Sequence, residues 1–161
     1  MELTILIRNI VLFIICGWIS YTDLKRHEID HTPLLIGLLF ILPFNLLGFN
    51  DITFIQSLIG CVTMFALFFL LTFFGMGGGD MKLMTLIGMF LGFGRSMTVT
   101  IVAIYVSAIV GVLIMLFKRN KMTLKSKLPM GPSIAIGTIF SIYGYHLVLN
   151  WISNNIVVIG V

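Results

Sequence analysis

Charge is what this chain has least of. Asp, Glu, Lys and Arg make up 10% of its 161 residues, six acidic and ten basic, against about 25% in an ordinary soluble domain. Hydrophobic residues make up 59%, and mean hydropathy is +1.13. That excess is too large for one buried core, so a soluble fold is excluded and a polytopic, all-α membrane protein is expected. Nor is there room for a separate soluble domain of ordinary size. Cysteine is nearly absent. Cys16 and Cys61 lie far apart in apolar runs with no Cys-x-x-Cys, which argues against a zinc knuckle or disulfide framework and for two buried thiols. The net charge of +4 comes from Lys and Arg gathered between apolar runs. That bias reads as membrane orientation, not nucleic-acid binding.

The N-terminus does not read as a cleavable signal, because Glu2 and Arg8 make no basic leader and no small-x-small site follows. Six spans are expected, at about 3–22, 34–49, 52–74, 81–93, 97–117 and 133–151, forming one domain over 1–161. Pro33 falls near the first turn of the second span, where its missing N–H does no harm, and Pro43 is expected to kink it. The fourth span is short, and a break is expected at 94–96. The stretch 118–127 carries Lys118, Arg119, Lys121, Lys125 and Lys127. By the positive-inside rule it belongs in the cytoplasm, together with Lys25, Arg26 and Lys82. The tail from 153 to 161 is left unassigned.

Against that scarcity of charge, two carboxylates stand out. Gly75-Met-Gly77-Gly78-Gly79-Asp80 lies between two apolar runs and opens a new one. An ionisable residue at membrane depth is by default a functional-site candidate, and glycines let another backbone come close. Asp23 ends the first span and Asp80 begins the fourth. Two spans lie between them, and an even number of crossings returns the chain to one membrane surface. Two carboxyl groups at one depth can share a proton. The ionised member then acts as base on a water while the protonated member polarises a peptide carbonyl. Spacing supports close approach: Cys16, Ser20 and Asp23 form a small or polar stripe at i, i+4, i+7, and Gly88-x-x-x-Gly92 is a small-xxx-small element. Lys82 is expected to point away from Asp80 and snorkel to the surface.

A second motif competes. His27-Glu28-Ile29-Asp30-His31 matches H-E-x-x-H. On a helix those histidines could ligate zinc, with Glu28 activating water. Its context is a charged loop closed by Pro33, which disfavours helix at Thr32. The plainer reading is a solvated loop whose polar groups, Asp30 among them, help seat substrate.

Taken together, Met76-Gly-Gly-Gly-Asp80-Met-Lys82-Leu83, Asp23 followed by Ile29-Asp30 and Thr32-Pro33, and Pro129-Met-Gly131-Pro132 with Ala135 and Gly137 resemble the type IV prepilin leader peptidases, membrane aspartyl proteases of the Gly-x-Gly-Asp class. The Asp23 region departs most, because Ile29 abuts Asp30 where the family commonly places a proline between them. The resemblance implies catalytic Asp23 and Asp80. It implies a substrate-binding surround of Gly77, Gly78, Gly79, Lys82, Asp30, Pro129, Gly131 and Pro132, with no metal and no cofactor. It implies cleavage of the short basic leader of prepilin or pseudopilin precursors, at the cytoplasmic face of the inner membrane. Longer relatives carry a cysteine-bearing insertion and also N-methylate the product. Its lack here implies a peptidase-only form, similar to those serving Tad/Flp-type pili. Two other readings stand beside this one: a zinc membrane protease using His27, Glu28 and His31, and a non-enzymatic carrier or assembly subunit.

Overall fold

The computed structural model describes residues 2–26, 30–73, 77–117 and 130–159. These fold into α1 (Glu2–Arg26), α2 (His31–Leu46), α3 (Phe54–Thr72), α4 (Gly78–Phe117) and α5 (Gly131–Ile159), with no strand among them. The all-α expectation holds. Among the described residues, three segments are long and apolar enough to cross a membrane: Leu3–Lys25, Phe54–Thr72 and Gly78–Leu113; α2 is shorter but equally apolar. Leu12, Ile19, Ile41, Met64, Phe68, Ile87 and Phe90 form the interior, while dozens of large apolar side chains face outward, as a lipid-solvated bundle requires.

The boundaries differ from the expected ones for identifiable reasons. Thr32 is helical, because Pro33 falls within the first turn of α2 and clashes with no preceding turn. Thr53 starts α3 through a capping box with Gln56, a T-x-x-Q signal readable in the sequence. α5 continues to Ile159, so most of the unassigned tail is helix. The expected break at 94–96 lies earlier. Those residues are helical, and the interruption is at Gly92, whose φ of 73° and ψ of 178° suit glycine and strain other residues.

Gly92 reverses the chain. Before it, Met89 faces Ser57 of α3; after it, Thr100 has come back to Met64, deeper along the same helix. The second half of α4 then runs alongside α5. Ser141 bonds the Arg95 carbonyl, and a Cβ on Gly137 would lie 2.7 Å from the Val99 carbonyl oxygen. The expected fourth and fifth segments are therefore the two arms of a helical hairpin. Breaking a helix strands its last carbonyls, which is costly where water is scarce. Side chains from α2, α3 and the loop between them supply the missing donors. Ser57 Oγ and Asn45 Nδ2 reach Met89 O at 2.5 and 3.2 Å, and Asn50 Nδ2 reaches Phe90 O at 3.4 Å.

The same end of the bundle holds an ion triad. Arg8, 1% exposed, donates to Asn50 and Asp51, and Arg95 Nη1 bonds the other Asp51 oxygen at 2.5 Å. Burial pushes the Asp51 carboxyl up, but the two arginines outweigh it and hold it below the usual carboxylate range. A carboxyl lowered by folding adds stability above its unfolded pKa of about 3.9, and that stability is lost as pH falls through the folded value. The unfolding temperature of wild type should therefore exceed that of Asp51→Asn at neutral pH, and the gap should close below about pH 4. A gap that persists unchanged into acid would remove the triad from the stability of this end.

Candidate active site

The opposite end of the bundle gathers Asp23, Asp80 and Gly131. Asp23 lies in the last turn of α1 and is 7% exposed. The stripe that precedes it turns inward toward α5: Cys16 Sγ lies 4.0 Å from Thr138 Oγ1, and Ser20 bonds the Cys16 carbonyl. Small and hydroxylated residues on that face let the two helices approach.

Asp80 is 8% exposed and sits at the third position of α4, immediately after the glycines. Its N–H donates to the Gly77 carbonyl at 3.1 Å, and its carboxylate hydrogen-bonds back to the Gly77 backbone. This is the reciprocal arrangement of a helix N-terminus whose third residue is acidic. A Cβ on Gly77 would lie 3.1 Å from Asp80 Oδ2. Gly77 and Gly78 are exposed and Gly79 is half-buried, so the approach to Asp80 runs past backbone rather than side chains. The Asp23 carboxylate is close enough to Asp80 to act on it electrostatically. Counting crossings placed both at one surface, and the electrostatic influence of one on the other agrees with that.

Gly131 does something its spacing did not indicate. As the first residue of α5 its N–H has no partner within the helix. It donates to Asp23 Oδ2 at 2.7 Å, in a buried setting. A positive helix end thus meets a carboxylate, which favours and fixes it. A Cβ here would lie 2.9 Å from Oδ2 and 3.1 Å from the Asp23 Cβ, so only glycine permits the contact as it stands. Gly131→Ala should displace Asp23 by a few tenths of an ångström. A reaction that uses Asp23 is then expected to slow by roughly 10- to 100-fold with unchanged membrane insertion, since small misplacements of reacting groups cost that much. An undiminished turnover number would show that the contact does not position Asp23.

The remaining expected residues scatter. Pro132 is half-buried in the first turn of α5, and Pro129 lies outside the described residues. Asp30 is half-buried and precedes α2 without capping it through its side chain. Lys82 is exposed and lines a cavity with His31 that neither aspartate lines. Of the H-E-x-x-H motif, His27, Glu28 and Ile29 lie outside the described residues. Asp30, however, is extended (φ −63°, ψ 137°), and α2 starts only at His31. The continuous turn that would put both histidines on one helix face is interrupted there.

A match to the type IV leader peptidase family covers residues 10–116, more than half the chain and both aspartates. The chain belongs to that family. Type IV leader peptidases are generally of the aspartic type. The family match ends before Gly131, whose contact with Asp23 comes from the coordinates. No curated protein and no solved structure matches the chain. The resemblance read from the glycine–aspartate motif is thus borne out at the level of the family.

Proposed function

We propose that this type IV leader peptidase is an aspartyl endopeptidase that removes the short basic leader of prepilin-like precursors, with Asp23 and Asp80 as its catalytic pair. The observation that supports the reading is that two carboxyl groups, each more than nine-tenths buried, lie within electrostatic reach of one another where α1, α4 and α5 come together. An ionisable residue at membrane depth is costly and by default marks a functional site.

The reaction needs one water and one shared proton. The ionised carboxylate takes a proton from the water, and its oxygen attacks the scissile carbonyl carbon. The protonated partner hydrogen-bonds the carbonyl oxygen as negative charge develops there. The C–N bond then breaks, the leaving amine takes a proton from the pair, and the second product is the leader's carboxylate. Gly131 N–H occupies one Asp23 oxygen throughout and leaves the other for water. Gly77, Gly78 and Gly79 admit the substrate backbone beside Asp80, with Gly131 and Pro132 at the start of α5 on the Asp23 side.

The chain crosses the membrane six times on this reading, counting both arms of α4. We place the Asp23–Asp80 end in the cytoplasm, because Lys25 and Arg26 end α1, Lys82 lies in the first turns of α4, and the basic stretch 118–127 falls in sequence between α4 and α5. On this reading the reaction has no methyl-transfer step, and the new N-terminus leaves unmethylated. Purified protein in liposomes, given a leader-bearing precursor, should yield one cut before the apolar stem. A metal chelator should leave the rate unchanged, and a methyl donor should add no mass to the product. Loss of cleavage with chelator, restored by zinc, would favour His27, Glu28 and His31 instead.

A further inference from the structure

A cavity of about 420 Å³ opens between α2, α3 and the first arm of α4, and neither aspartate lines it. Its walls are Leu34, Leu38, Cys61, Phe65, Leu86 and Met89. Leu35 and Phe65, which also line it, are exposed on the lipid-facing surface, so the cavity opens sideways into hydrocarbon. At the Asp80 end its rim carries His31 and Lys82, both exposed. Among the described residues, Lys82 takes part in no ion pair.

Two properties narrow the occupant. The one wall hydroxyl, Thr85 Oγ1, already donates to the Met81 carbonyl at 2.7 Å. An extended peptide would therefore find few partners for its backbone, which apolar surroundings do not forgive. The charge is confined to one rim and is cationic, at the depth where a headgroup lies when a tail fills the cavity. We infer that this groove is a binding site for an anionic phospholipid, its acyl chain among the α2, α3 and α4 side chains and its phosphate on Lys82 and His31. Basic pockets between spanning helices recognise such headgroups, and each lysine contributes about 1 kcal/mol. The site does not depend on the protease reading, since none of its groups is one of the two aspartates.

The test is lipid retention by the full chain. Protein equilibrated with phosphatidylcholine vesicles containing phosphatidylglycerol is extracted, stripped of loose lipid and weighed by native mass spectrometry. One phosphatidylglycerol per chain is expected, in preference to phosphatidylcholine. Lys82→Gln should weaken retention about 5-fold, the factor corresponding to one lysine, and Cys61→Phe, which adds bulk to a lining position, should abolish it. If Cys61→Phe does not fold, wild type with the two lipids and Lys82→Gln still decide the matter. Equal retention of both lipids, no retention, or retention indifferent to Lys82 would overturn the assignment. So would displacement by inorganic phosphate alone, which marks an ion site, or by a leader-bearing precursor one for one, which marks a substrate groove.

Discussion

Asp80→Asn and Asp23→Asn should each leave no detectable leader cleavage, a loss of at least about 10³-fold, while the protein still inserts and folds. The size of the effect follows from the division of labour. An amide cannot take the proton from water, nor pass one to the leaving amine, and general acid–base steps contribute about 10²- to 10⁴-fold. Because the two groups act as a unit, the double variant should be no worse than either single one. Folding should survive, because Asn keeps the size of Asp and its side-chain oxygen can still accept from Gly131 N–H. Co-expression with a precursor, read by product mass, gives the answer directly. Near-normal turnover in either variant would remove that residue from the reaction.

The largest expected effect on folding is at Gly60. A Cβ there would lie 2.3 Å from the Gly88 carbonyl oxygen and 2.8 Å from the Gly92 backbone, and a Cβ on Gly88 would meet Gly60 O at 2.3 Å. No rotamer change relieves a clash between two backbones, so α3 and α4 must part. Separation then pulls Ser57 away from Met89 O, the carbonyl stranded by the Gly92 turn. Overpacking costs about 1–3 kcal/mol, and each buried polar group left without a partner costs about as much again. Total stability is only about 5–15 kcal/mol. Gly60→Val should therefore fail to give a monodisperse peak in mild detergent. Gly17→Ala should behave as wild type, because nothing lies within 4 Å of the added methyl position. A normal peak and unfolding temperature for Gly60→Val would mean that the helices do not cross there.

Much of this architecture was legible because hydropathy and parity are local rules. Apolar runs marked the helices, and counting crossings put Asp23 and Asp80 at one surface before any contact was known. Gly88-x-x-x-Gly92 was recognised as a packing element, but its partner Gly60 could not be, since spacing within one helix says nothing about which helix it meets. The turn was displaced for a related reason. Arg95 looked like a loop residue because it is charged, yet it stays helical and pairs with Asp51, and the reversal uses Gly92. Arg8 carried a clear signal: a cation inside an apolar helix needs a partner. Naming Asp51 and Asn50 as that partner required the fold. Gly131 was read as part of the substrate's surroundings, whereas its N–H is spent on Asp23, a contact across 108 positions that no motif encodes.

The approach of the two carboxylates to one another is best measured in native membranes. A chain with Asp23→Cys, Asp80→Cys, Cys16→Ala and Cys61→Ala is treated with a mild oxidant or a short bifunctional thiol reagent, then digested and analysed by mass spectrometry. A reference chain keeps Cys16 and carries Thr138→Cys, a pair 4.0 Å apart in the bundle. A linked peptide pair joining positions 23 and 80, formed as readily as the reference pair, is the predicted result. A reference link without any 23–80 link would contradict the acid pair and, with it, the proposed catalytic mechanism.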